Sequence, residues 1–217
     1  MKDFAVIGLG RFGSSVARTL ASQGHGVLGI DSDECKIACM ANVLTHVVQA
    51  DATDEETLRA LGVRNMDAVV VAIGQDIQAS ILVTVVLKEL GVKQVIAKAS
   101  SDIHGKVLLK VGADRVVFPE REMGARIAHS LVASNILDFI ELSPEHSIVE
   151  LNATRAMIGK TLRQLELRAK FGVNVLALKH GKSVNVSPRA DDSIKEGDVL
   201  VIIGENEALH RLERLAQ

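Results

Sequence analysis

Short unbroken apolar runs alternate, along the first half of the chain, with segments whose apolar positions recur every three to four residues. The runs are 2–7, 27–30, 46–49, 67–72, 94–97 and 115–118, most of them rich in Val and Ile. Such runs read as strands buried on both faces. Between them the periodicity predicts helices over about 11–23, 33–41, 53–61, 78–90 and 102–111. Gly24-His25-Gly26, Gly91 and Gly112 stand where three of these helices end. Thr53 is the expected N-cap of its helix, with Glu56 completing a capping box. Strands alternating with helices in this way predict a parallel sheet with right-handed crossovers, a Rossmann-type doubly wound α/β fold.

The pattern changes after Pro119. A longer helix is expected over 122–137, then a short strand at 140–142 and a turn at Ser143-Pro144. Further strands are expected near 147–152, 173–179, 183–186 and 198–203, with short helices near 161–166 and 205–215. Gly181-Lys182 reads as a tight hairpin. The expected organisation is a nucleotide-binding domain over 1–118, a connecting helix over 119–137 and a small, mostly antiparallel α+β domain over 138–217.

Composition narrows the choice. Apolar residues make up 47% of the chain and aromatics only 2%, without Trp or Tyr, so the core must be Val, Ile, Leu and Ala. The aromatic platforms that stack single-stranded nucleic acid are missing. The net charge of −2 comes from 25 basic and 27 acidic residues mixed along the chain, which argues against any nucleic-acid partner. No run approaches the ~18 apolar residues of a membrane span, and no signal-peptide pattern opens the chain, so the cytoplasm is the expected location. Cys35 and Cys39 share one face of a predicted helix. No nearby His or second cysteine pair completes a metal site, and inert packing is the expected role.

The chemistry concentrates at the carboxyl ends of the predicted strands. Gly8-Leu9-Gly10-Arg11-Phe12-Gly13 follows a strand and opens a helix, the context in which G-x-G-x-x-G cradles phosphate. Gly8 permits the tight turn, Gly10 lets a phosphate approach the backbone, and Gly13 allows close helix–strand packing. Asp31 lies 21 residues beyond Gly10, where an acid suits ribose hydroxyls and repels a 2′-phosphate. Arg11 adds a charged fork for further phosphate oxygens, which leans toward ADP or ATP while NAD(H) stays open. Asp51, Ile73, Gly74, Lys98 and Ser100 follow other strands on the same edge, Asp51 suiting the adenine amino group. Glu120 comes just after the sixth strand; it is either a helix-start acid or a holder of a divalent cation beside the phosphates. None of the seven histidines sits in a catalytic motif, and no Gly-Lys-Ser/Thr follows the loop. An NAD-dependent oxidoreductase is the alternative from another class; it would need a general acid–base and a substrate domain, for which about 80 residues of small α+β structure is thin.

Several strings together resemble one family across essentially the whole chain. They are Ala5–Gly13, Ala72–Ser80, Gly112–Arg115, Pro119–Gly124, Glu145–Glu150 and Arg168–Gly172. The chain resembles the KtrA/KtrC family, cytosolic RCK-domain (TrkA-N/TrkA-C) regulatory subunits of bacterial Ktr potassium channels. The resemblance implies an N-terminal domain that binds ATP and ADP. It also implies dimers assembling into an octameric ring, docked on a KtrB/KtrD-type membrane subunit at the inner face of the membrane. The implied nucleotide residues are Arg11, Asp31, Ser32, Asp33, Asp51, Ala52, Ile73, Gly74, Gln75, Lys98, Ala99, Ser100, His104 and Glu120. Glu120 would hold Mg2+ or another cation. The C-terminal domain is implied to bind cyclic di-AMP at a dimer interface through Arg168 and Asn174, with Val173, His180 and Pro188 as further contacts. An NAD(H)-sensing Trk-type regulator is the alternative within the same class.

Overall fold

Strands β1 (Asp3–Ile7), β2 (Gly26–Asp31), β3 (His46–Gln49), β4 (Ala68–Val71), β5 (Val95–Lys98) and β6 (Arg115–Val117) form a parallel sheet ordered β3-β2-β1-β4-β5-β6. The computed structural model describes residues 1–132 and 136–215. The strand order reverses between β1 and β4, which makes the sheet doubly wound. Successive side chains of a strand point to opposite faces, so each strand feeds two cores. Ala5, Ile7, Val69 and Val71 pack with Leu58, Val83, Leu87 and Leu108. Val6, Val70 and Ala72 pack with Ala17, Met40 and Leu44. The first core is covered by α3 (Glu55–Ala60), α4 (Ile77–Glu89) and α5 (Asp102–Lys110), the second by α1 (Arg11–Ser22) and α2 (Glu34–Met40).

Two local expectations fail in this unit. The Thr53–Glu56 capping box does not form. Asp54 is the N-cap of α3, accepting the Glu56 amide at 3.1 Å and the Thr57 hydroxyl at 2.6 Å. Thr53 turns back to Asp51 instead. A carboxylate is the stronger acceptor for a helix start, so the acid takes the cap. Cys35 and Cys39 are both exposed on α2, not packed, because the opposite face of this short helix, ending in buried Met40, already fills the core.

Contacts divide the chain into Met1–Pro119 and Glu120–Gln217. Helix α6 (Pro119–Val132) begins earlier than expected, with Pro119 at the first helical position, where its missing N–H costs nothing. The helix was expected to reach 137. Residues 133–135 lie outside the described residues, and Ile136–Ser143 is strand β7, eight residues long where a three-residue strand was expected. Ile136 and Phe139 enter the core of the C-terminal unit from this strand, which favours the extended form. β8 (His146–Asn152), β9 (Asn174–His180), β10 (Ser183–Asn185) and β11 (Asp198–Glu205) complete an antiparallel sheet ordered β10-β9-β11-β8-β7. The β9–β10 hairpin turns at Gly181, whose φ is +55°.

The helix expected over 161–166 is two short ones. They are α7 (Leu162–Leu165), with a capping box between Thr161 and Gln164, and α8 (Leu167–Phe171). Glu166, at φ +49°, breaks the run between them. These helices and α9 (Asn206–Leu215) cover a core of Val149, Leu151, Leu200, Ile202, Leu209 and Leu212. Arg126 of α6 binds both oxygens of Asp138 on β7 and holds that carboxyl below the usual carboxylate range.

Candidate nucleotide-binding site

The glycine loop is shaped by backbone geometry. Gly8 has φ +93°, and its N–H donates to the Ile30 carbonyl at 2.8 Å. A Cβ at Gly13 would stand 1.8 Å from the Gly8 oxygen, so only glycine lets α1 approach the loop this closely. Gly10 is the N-cap of α1 and offers no side-chain acceptor, and no acid stands in the first turn. A Cβ at Gly10 would meet nothing within 4 Å. The helix therefore presents its first amides and its positive dipole end at an open position, as an anion site requires. Arg11 is exposed at the first helical position, beside half-buried Phe12.

Neighbouring strand ends supply the rest. Asp31, at the end of β2, is buried; its carboxylate accepts the Leu9 amide at 2.6 Å and the Asp33 amide at 3.0 Å. Lys36 of α2 bonds the same carboxylate at 3.2 Å. Ser32 is exposed and Asp33 caps α2. Asp51 follows β3 on the surface; the Thr53 amide and hydroxyl hold its carboxyl below the usual range. Lys98, at the end of β5, places Nζ 5.9 Å from the centroid of the Phe12 ring. A Cβ at Gly74 would lie 3.1 Å from the same nitrogen. Lys98 thus joins the loops after β1, β4 and β5. Ile73 and Gly74 are half-buried and Gln75 is exposed. The side chains of Ala52 and Ala99 are buried in the core, which leaves only their backbone for a ligand to meet. Ser100 is tied to buried His104, whose Nδ1 accepts the Ser100 amide at 3.3 Å. Burial pushes the His104 pKa down, which keeps the ring neutral near pH 7.

Glu120 stands in the first turn of α6, where the helix dipole favours an acid. Among the described residues no three His, Cys, Asp or Glu side chains form a metal-holding group. In the second unit, Arg168 and Asn174 are both exposed and flank Gly172, a left-handed turn at φ +76°. Val173 is fully buried in the core, so its side chain packs against its own unit. His180 ends β9 and pairs with buried Asp198 at 2.7 Å. Asn174 starts the same strand, about 20 Å away along it. Pro188 is half-buried in the loop after β10.

Residues 4–119 match the TrkA-N domain family and residues 146–217 the TrkA-C domain family. The chain is 51% identical to the Ktr system potassium uptake protein C of Bacillus subtilis over 213 residues, covering 98% of this chain and 96% of that protein. It is 49% identical to the Ktr system potassium uptake protein A of the same organism, covering 98% and 96%. This chain belongs to the Ktr potassium-uptake family. The crystal structure of the GsuK RCK domain superposes with TM-score 0.71 at 21% identity, over 99% of this chain and 47% of that one, and shows the shared fold. Membership sets the chain among potassium-uptake proteins and not among enzymes. In this Ktr-family chain, sequence reasoning missed Lys36 and Leu9, which with Asp31 fasten α2 to the glycine loop. The available signal was a lysine five residues beyond the acid.

Proposed function

We propose that this chain is a nucleotide-sensing gating subunit that binds ATP and ADP in the N-terminal unit. It passes the bound state, through an octameric ring of dimers, to a KtrB/KtrD-type potassium channel. The observation that carries this reading is the uncapped N-terminus of α1, open at Gly10, with Arg11 at its first position and Lys98 across the loop. Two cations beside one dipole end suit more than a single phosphate. Residues 1–118 hold the nucleotide, the helix from 119 connects, and the C-terminal unit dimerises. Glu120 alone makes no metal site. It fits a cation whose other ligands are phosphate oxygens and water, the usual Mg2+ arrangement. A ligand that binds two ring shapes with different affinity shifts their populations, which is all that gating requires. No helix among the described residues is long and apolar enough to cross a membrane; the subunit works at the inner face through its partner.

The test is competition against labelled ATP. ADP should displace it well and NADH poorly; displacement by NADH at much lower concentration would favour an NAD(H)-sensing regulator. Arg11→Ala should weaken ATP roughly 10- to 100-fold, the worth of a lost charge-assisted contact, and weaken AMP far less. Equal losses for both would overturn the role given to Arg11. Cyclic di-AMP is proposed to bind the C-terminal unit at Arg168 and Asn174, whose guanidinium and amide suit phosphate and base edges. Native mass spectrometry with each ligand reads ring size and occupancy together.

A further inference from the structure

Cys35 and Cys39 are the only cysteines of the chain, and both are exposed. Four residues apart on α2, they lie on one face with Cβ atoms roughly 5–6 Å apart. A disulfide needs Cβ atoms about 3.5–4.5 Å apart, so this turn cannot form one without unwinding. Two sulfurs at this spacing can, however, swing toward one shared ion. Among the described residues no group of three or more His, Cys, Asp or Glu side chains forms, so the four ligands of structural zinc are not assembled. Two thiolates without further donors select a soft ion content with two ligands. The Arg18 guanidinium donates to the Cys39 carbonyl at 3.4 Å and ties α1 to the end of α2.

We propose that Cys35 and Cys39 form a two-thiolate chelate for Cu(I) on the solvent face of α2. Two thiols lose two protons to solvent, two S–Cu bonds form, and no redox change occurs. The turn that carries the chelate also carries the contacts of the glycine loop. Asp33 accepts the Cys35 amide at 2.9 Å, and Lys36, between the cysteines, bonds Asp31, which holds the Leu9 amide. An ion that draws the sulfurs together bends this turn and loosens those contacts, so occupancy lowers nucleotide affinity. That second step rests on the nucleotide reading above; the chelate itself does not.

The test is an anaerobic titration of the reduced full-length protein with Cu(I) buffered by bicinchoninate. Wild type, Cys35→Ala, Cys39→Ala and the double variant are compared, with circular dichroism confirming that each is folded. Expected are one ion per chain, affinity weaker by roughly 100-fold in each single variant, as for loss of one arm of a bivalent contact, and no such site in the double variant. One ion per two chains, or single variants that bind like wild type, would overturn the intrachain chelate. Phenylarsine oxide gives an independent arm: its oxygen leaves as water while arsenic joins both sulfurs. One adduct per chain with both thiols lost supports the pair, and two adducts per chain refute it. Finally, ATP affinity is measured with and without Cu(I). A several-fold weakening that the double variant lacks supports the coupling, and no change removes it. Failure of the metal-free protein to bind ATP would sink the nucleotide reading and leave the chelate standing.

Discussion

His104 shows how burial sets the chemistry of a single side chain. Its Nδ1 accepts the Ser100 amide, so the ring proton sits on Nε2, which is buried without a hydrogen-bond partner. Protonating Nδ1 would break the Ser100 bond in a place that water does not reach. Its folded pKa is therefore depressed below the ordinary value near 6.5, and the unfolded chain takes up the proton first. The stability this group protects is complete above about pH 6.5 and is lost as pH falls from there through the depressed pKa. Wild type should lose stability in urea unfolding below about pH 6.5 more steeply than His104→Asn, whose amide oxygen can still accept from Ser100. Identical pH slopes for the two proteins would show that His104 does not titrate in this way.

At the scale of the element, the loop–helix joint separates two jobs of glycine. Gly13 is required for packing, since a Cβ there runs into the Gly8 carbonyl, whereas Gly10 faces open space with ordinary φ and ψ. Gly13→Ala should cost about 3 kcal/mol or more through overpacking against rigid backbone. Gly10→Ala should cost only about 1 kcal/mol, the loss of a better N-cap residue, while weakening ATP strongly, because its methyl group stands where a phosphate would approach. Denaturant unfolding and nucleotide titration on the same two variants read both quantities. A Gly10→Ala protein that binds ATP normally would place the phosphates elsewhere.

At the scale of the whole molecule, the hydrophobic clusters of Met1–Pro119 share no residue with the cluster of Glu120–Gln217. Each unit closes its own core, which is the condition for folding alone. A fragment ending at Pro119 should fold and bind ATP, and at 100 times Kd the nucleotide should stabilise it by about 2.7 kcal/mol. Calorimetry of the full chain should show a component that ATP raises and one that it leaves in place. A single transition that moves as a whole would show that the units are cooperative.

The strand–helix alternation, the glycine loop and the spacing to Asp31 were legible in the sequence because each is a local rule: a period, a turn, a distance along the chain. The other strand ends, at Asp51, Ile73, Gly74, Lys98 and Ser100, were read the same way, and the family strings added Ser32, Asp33, Ala52, Gln75, Ala99 and His104. What stayed hidden depends on partners far away in sequence. Asp54 took the cap of α3 from Thr53, and β7 took positions 136 and 137, expected in α6, because Ile136 had a core to enter. The same dependence buried Val173 and separated His180 from Asn174 by a strand's length. It also turned Cys35 and Cys39 outward on a helix fastened through Lys36 and Asp31 to the glycine loop. The sequence by itself determined which elements form and where phosphate can meet a helix start, because those follow from residues close along the chain. Only the tertiary structure decided which side of each element faces water, because that depends on what the rest of the chain packs against it.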